Sequence, residues 1–529
     1  MNEKVASVGS GVKGNYLSAI INWQELTSGE GVFDSRSPAN TSIQLGRFAD
    51  ATRDQCIEAC KSARKAWQQW KNVPAPVRAS VIENFGRLIT KNKEALSLLL
   101  TREMGKPIGE ARGDIQEAVD TCNFFVSEGR RLYGQTVPSE MPEKDLFTYR
   151  RPVGVFACIT AGNFPFAVPS WYFIPALLAG NVCVWKPSED TPQLSLVFAQ
   201  LLQAAGVPSG VFQVLFGRGP TTGKALIELT DQGLIDKIGF TGSTEVGRTI
   251  GEIAGRNLQT ACLELGGKNP MVIMPDANLD LALQGALWSA FGTAGQRCTS
   301  LGNLIVHSSI SEAFLEKLLA KTQELYIGNP EDKRTNYGPM ISERFLTKHL
   351  ENLETLVEPH HKVLTKFNGR ILQSTDWKNF IGNPSDGYYA APTIVSGVRA
   401  TDRIYSTETF GPLINAMTFE TLDQAIELAN GTGYGLSSSI YSNNPRDIYK
   451  FKNEIGAGMT SINNSTTGAE AHLPFGGNGK SGNGSRQSGI WVIDQFTRWQ
   501  AVNWDFSGKL QLAQMETGYI QPRDFTLSL

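Results

Sequence analysis

Apolar residues recur at helical spacing over residues 51–70, 77–100 and 111–132, so the first 140 residues are predicted to be mostly helical, with turns around Pro74, Pro76 and Pro107. The period then changes, and residues 145–155 alternate loosely, as a strand does. From Val153 short apolar runs predict strands at 153–159, 181–185, 211–215 and 235–240, separated by helices at 168–178 and 194–205 and followed by one at 244–254. Strands and helices in this succession predict an α/β fold with a parallel sheet covered on both faces. Ligands of such sheets bind beyond the carboxyl ends of the strands. Farther on, an apolar helix at 279–288 and a strand at 301–306 enclose residues 291–300, Phe-Gly-Thr-Ala-Gly-Gln-Arg-Cys-Thr-Ser, and a last strand is expected at 496–504.

Length and charge narrow the class. A chain of 529 residues exceeds one hydrophobic core and predicts two or three domains. Its 49 basic and 51 acidic side chains give a formal charge of −2, no footprint for nucleic acid or an anionic membrane. No apolar run approaches the ~18 residues that cross a bilayer, and the first residues lack the charged-then-apolar layout of a secretory signal. Seven scattered cysteines without a CxxC pair predict free thiols and a reducing compartment, the cytoplasm. The five histidines show no metal-ligand spacing, so metal catalysis is not expected. A hydrolase triad is not expected either, since G-x-S-x-G is absent.

The chemistry sits at the predicted strand ends. Cys298 lies at a junction of two rigid elements, with Gly292 and Gly295 beside it, and is either an inert buried thiol or a nucleophile. Asn163, in Ala161-Gly-Asn-Phe-Pro-Phe166, is a turn residue or an amide donor to a developing oxyanion. Lys186 and Glu189 follow a buried strand; a solvated lysine and a helix-starting glutamate account for them, and so does a nucleotide ribose held by the carboxylate. That carboxylate repels a 2′-phosphate and so favours NAD over NADP. Gly242 and Ser243 open a helix whose free N–H groups suit a pyrophosphate, although the G-x-G-x-x-G pattern is absent. Glu264, between leucines, either caps a nearby helix or pairs with a lysine, or is a general base raised by its apolar setting.

These stretches, together with Glu408–Pro412 and Pro474–Gly477, resemble in order and spacing the motifs of the aldehyde dehydrogenase superfamily, from roughly residue 25 to 505. The resemblance implies a Rossmann-like NAD-binding domain (20–136 and 156–266), an α/β catalytic domain (267–480), small oligomerisation strands (137–155 and 490–510) and a tail (511–529). It implies that Cys298 attacks an aldehyde, Asn163 and the Cys298 N–H hold the oxyanion, and Glu264 activates the water that hydrolyses a thioester. Thr160, Lys186, Ser188, Glu189, Gly242, Ser243, Leu265, Glu408 and Phe410 are the implied NAD contacts. Branches that transfer the acyl group to coenzyme A usually lack the base at Glu264.

Arg297 and Thr467-Gly-Ala-Glu470 resemble the branch that oxidises α-aminoadipic semialdehyde, in which the Arg and the Gly-Ala backbone grip a far carboxylate and a helix carboxylate, here Glu117, meets an amino group. Phe166, Thr299, Gly468, Ala469 and Phe475 complete the expected substrate contacts. A structural salt bridge is the alternative for Arg297. Glu470-Ala-His-Leu-Pro departs from that branch, which leaves a general aldehyde or another carboxylated semialdehyde open. A homodimer or tetramer is expected, since exposed strand edges need partners, with the tail packing on a neighbouring subunit and covering part of a substrate entrance.

Overall fold

Two seven-stranded sheets carry the chain in this computed structural model, which describes residues 16–511 and 523–529. The expectation of no signal segment rests on residues outside the described ones, as does most of that for the tail, of which only residue 511 and the exposed 523–529 are described. No helix among the described residues is long and apolar enough to cross a membrane.

The first sheet has five parallel strands, in the order Cys262–Glu264, Lys237–Thr241, Val155–Ile159, Val182–Lys186, Phe212–Leu215. Ala19–Ile21 and Gln24–Leu26 extend it antiparallel at one edge. Its buried runs of Val, Ile, Phe and Cys pack under helices on both faces. Phe173, Trp185, Phe198 and Phe212 interlock there, with edge-on ring centroids 4.9–5.3 Å apart. Val155–Ile159 comes first of the five parallel strands in the chain yet lies in their middle, with Val182–Lys186 on one side and Lys237–Thr241 on the other. That reversal of strand order opens a crevice at the carboxyl ends.

The second sheet runs Lys362–Val363, Thr393–Ser396, Leu413–Phe419, Leu301–His307, Asn269–Ile273, Ser437–Tyr441, Met459–Ile462, parallel except for its first pair. A third, antiparallel sheet pairs Thr497–Asp505 with Lys144–Pro152 and then Thr136–Val137.

The predicted helices and strands of residues 153–306 are present, with ends moved by a few residues. Two expectations fail nearer the N-terminus. Residues 30–50 form a hairpin, Glu30–Ser37 with Asn40–Asp50, rather than joining a mostly helical region. Glu30–Val32 and Ser42–Gln44 are each exposed at three successive positions, which removes the alternation that marks a half-buried strand. The predicted helix at 77–100 is two helices, Ala75–Lys91 and Lys93–Met104, broken at Asn92.

Candidate active site

Cys298 ends a turn that the sequence builds from small residues. The helix Leu279–Phe291 closes into a short 3-10 turn, Gly292–Gly295, in which Thr293 and Ala294 take φ of 53° and 54°. Glu110 holds this unusual backbone by accepting from the Thr293 N–H at 3.1 Å and from its hydroxyl. A Cβ on Gly295 would lie 2.2 Å from the Gly411 carbonyl oxygen, so only glycine fits there. Asn269 then anchors the backbone on either side of Thr299, donating through Nδ2 to the carbonyls of Cys298 at 2.8 Å and Ser300 at 2.7 Å. Cys298 alone of the seven free cysteines is not fully buried. Burial, with Glu264 and Glu408 nearby, pushes its thiol up to about 12.

The Asn163 amide donates to the Gln296 carbonyl at 3.0 Å, two residues before the thiol. One amide hydrogen is thereby used and the second is left over. Gln296, fully buried, is itself fixed: its Nε2 donates to Thr293 O at 3.0 Å and its Oε1 accepts from the Ile341 N–H at 2.9 Å. Beneath the Asn163 loop lies a buried ion pair, Lys106 Nζ to Asp114 Oδ2 at 2.8 Å. Asp114 also accepts from the Ala167 N–H at 2.8 Å, and the Lys106 ammonium sits 3.4 Å from the centre of the Phe164 ring.

Glu264 ends its strand at the crevice, beside Thr241 in register. It is 4% exposed, and neither carboxylate oxygen has a hydrogen-bond partner among the described residues. Burial raises it well above the usual carboxylate range, with Arg486 opposing weakly. Among the described residues Glu264 thus neither caps a helix nor pairs with a lysine.

The crevice brings together Thr160, Lys186, Ser188, Glu189, Gly242, Ser243, Leu265, Glu408 and Phe410 along one wall of a cavity of ≈ 1830 Å³ that also reaches Cys298. Lys186 Nζ donates to Glu189 Oε2 at 3.0 Å. Burial opposes ionisation of Glu189, yet Lys186 and Arg344 hold it below the ordinary value. Ser243 caps the helix Thr244–Arg256, whose first N–H groups face the crevice. Glu408 accepts from the Gly267 N–H at 3.0 Å, and a Cβ on Gly266 would lie 2.0 Å from its Oε2. Burial raises Glu408 to about 7, and burial lowers the unpartnered Lys268 beside it to about 7. A dinucleotide fits this donor set and the crevice at the strand ends.

Beyond Cys298 the cavity is lined by Trp171, Phe475, Trp288, Phe164 and Phe124, with Glu117, Arg297, Thr299, Gly468 and Ala469. Phe475 packs on Trp171 at 4.7 Å. Phe166, expected here, is a correction: fully buried, it packs on Phe198 at 5.0 Å below the helix it precedes, and Phe164 lines the cavity instead. Arg297 is bound as a structural salt bridge, NH2 to Glu110 Oε2 at 2.5 Å, and stacks 4.2 Å over Trp288. Glu117 Oε1 is buried without a partner, and burial together with Asp114 raises it to about 8. The supporting residues Gln296, Asn269, Glu110, Lys106 and Asp114 escaped sequence reasoning. The only signal for them was a polar residue at an otherwise apolar position, as with Asn269 ahead of Pro-Met-Val-Ile.

A thiol, an amide and an unpaired carboxylate around a dinucleotide crevice define a narrow class, and the sequence profile of the Aldehyde dehydrogenase family matches residues 23–502. The chain belongs to that family. Aldehyde dehydrogenases are oxidoreductases that act on the aldehyde group with a nicotinamide coenzyme. This one is 34% identical over 478 residues to the NADP(+) succinate-semialdehyde dehydrogenase of Escherichia coli strain K12, covering 90% of this chain and 95% of that one. It is 32% identical to aldehyde dehydrogenase family 7 member A1 of Malus domestica, over 91% and 92% of the two chains. Among solved structures, the NAD-dependent aldehyde dehydrogenase of Sinorhizobium meliloti superposes with a TM-score of 0.87 at 32% identity, covering 94% of this chain and 96% of that one. A betaine aldehyde dehydrogenase of Staphylococcus aureus in complex with NAD+ gives 0.87 at 26%, covering 96% and 98%.

Proposed function

We propose that this aldehyde dehydrogenase oxidises an amino-acid semialdehyde to its acid by a hydrolytic, NAD-preferring route, with Cys298 as nucleophile, Asn163 as oxyanion donor and Glu264 as base. The observation that carries this reading is the unpaired, buried Glu264 carboxylate in the cavity wall that also holds Cys298. A carboxylate raised by burial accepts protons near neutral pH.

The resting thiol is neutral, since burial and two nearby carboxylates disfavour its anion. Attack therefore couples transfer of the Sγ proton to the Glu264 carboxylate, which passes it to solvent before the hydrolytic step, to bond formation between Sγ and the carbonyl carbon. The oxygen that gains charge meets the second Asn163 amide hydrogen, already aimed by the bond to Gln296, and the Cys298 N–H. NAD, when bound, supplies the acceptor for the two-electron oxidation of this adduct. Lys186, Glu189, Ser243, Glu408 and Phe410 would hold it, the Glu189 carboxylate taking the ribose hydroxyls and opposing a 2′-phosphate. Glu264 then takes a proton from water as the water oxygen adds to the thioester carbon, the C–S bond breaks, the acid leaves and the thiol is restored. Water suffices as acceptor, so coenzyme A is not required.

The amino-bearing substrate is supported by the Glu117 carboxyl, which lines the cavity with its Oε1 buried and without a partner among the described residues. Arg297 is already paired with Glu110, so a substrate carboxylate either displaces Glu110 or relies on the Gly468 and Ala469 backbone. For that reason simple aldehydes form the second reading. The test is reduced-coenzyme formation with NAD or NADP on α-aminoadipic, glutarate and succinate semialdehydes and on aliphatic and aromatic aldehydes. The highest kcat/KM is expected for the amino-acid semialdehyde with NAD; a lead for simple aldehydes would reduce Glu117 and Arg297 to structural parts.

A further inference from the structure

Among the described residues outside the large cavity, one group of side chains has the composition and geometry of a ligand set. His360 Nε2 and His361 Nε2 each lie 2.9 Å from the same oxygen, Asp402 Oδ2, and the three candidate ligand atoms lie within 4.8 Å of one another. We propose that His360, His361 and Asp402 form a site for a divalent first-row transition ion, Zn²⁺ in the first instance, with water completing the coordination.

Side chains of consecutive residues in extended chain point to opposite sides, so two adjacent histidines reaching one oxygen require a built turn. The His361 N–H donates to Glu358 O at 2.9 Å and turns the chain, which brings the two rings to 4.8 Å at 75°. Gly397, at φ 80°, lets the opposing loop approach: a Cβ there would lie 2.0 Å from the His360 carbonyl oxygen. Asp402 is fixed independently, its Oδ2 accepting from the Arg399 N–H at 2.7 Å and its N–H donating to Arg399 O at 3.0 Å.

Imidazole nitrogens with one carboxylate suit zinc and its neighbours. Tetrahedral ligands about 2.0–2.1 Å from such an ion stand about 3.3 Å apart, so each Nε2 must move a few tenths of an ångström farther from Asp402 Oδ2 as the ion replaces the shared hydrogens, and the two rings must converge on the ion. The His361 side chain is 2% exposed and held by packing, whereas that of His360, 23% exposed, leaves a path for the ion. Binding moves each imidazole proton from Nε2 to Nδ1. In His361 that atom is buried without a partner, which costs affinity, so a dissociation constant on the order of micromolar is expected. None of the three residues lines the catalytic cavity. The ion would instead clip the turn before the edge strand Lys362–Val363 to the segment leading into Glu408 and Phe410.

The competing reading is a carboxylate that merely accepts two imidazole N–H groups. The test uses the full chain carrying Cys298→Ser, which removes the accessible thiol as a rival ligand, titrated with Zn²⁺ and Co²⁺. Expected are one equivalent bound with micromolar affinity, Co²⁺ bands without thiolate charge transfer, and a higher Tm with the ion. Single His360→Gln, at the partly exposed position, should keep the ion-free Tm and weaken binding at least about tenfold. Absence of binding below about 100 μM, or equal binding to the His360→Gln protein, overturns the proposal.

Discussion

Cys298, Asn163 and Glu264 are separated by long stretches of chain, yet each owes its position to a local device. A left-handed turn locked by Glu110 presents the thiol, the Gln296 carbonyl orients the amide, and a strand end exposes the carboxylate to the cavity. The groups are poised by burial rather than by a neighbouring cation. Cys298 and Glu264 both lie above their ordinary values, and in the proposed reaction both act in their deprotonated forms. The populations of those forms grow as pH rises, so kcat/KM should climb across about pH 6–9. A flat or falling profile in stopped-flow or steady-state assays would contradict this assignment. At this scale the sequence was informative where a motif names a residue, and weak where packing decides. Phe166 and Phe164 differ little in sequence context, but one faces the aromatic core and the other the cavity. Arg297 could not be told from a free carboxylate grip until Glu110, far off in sequence, was seen beside it.

Helices and strands do their part by bringing distant side chains under the catalytic loops. The helix Ile108–Glu128 supplies Glu110 to the Cys298 turn and Asp114 to the Asn163 loop. Removing one partner of a buried ion pair leaves a desolvated charge, a loss of about 3–5 kcal/mol. Lys106→Met should therefore lower Tm clearly and reduce kcat more than it raises KM, because the Asn163 loop loses its brace. An unchanged Tm in scanning calorimetry would show that the pair is not a structural support. Strands and helices of the α/β core were legible because buried strands read as continuous apolar runs. The hairpin of residues 30–50 was not, since each of its strands is exposed at three successive positions.

For the molecule as a whole, the antiparallel sheet of residues 136–152 and 497–505 is where a second copy is expected. Its outer strand Thr497–Asp505 has one edge that no described strand pairs with and exposes Trp499 and Trp504, 51% and 59% accessible. Exposed apolar edges of this length associate. Substituting Trp499 and Trp504 together by Glu should convert a dimer or tetramer into a smaller species by light scattering, and an unchanged mass would place the interface elsewhere. The oligomer was an expectation from the strand pattern, whereas the His360–His361–Asp402 cluster was invisible to spacing rules because its third member lies on a different loop.

The central claim is that one carboxylate, Glu264, completes the reaction by hydrolysis. Rapid mixing of the Glu264→Gln protein with NAD and a productive aldehyde, followed by intact-mass analysis, tests it directly. The account predicts a burst of about one NADH per active site, slow turnover thereafter, and an acyl adduct on Cys298. Undiminished steady-state turnover without an adduct would contradict it.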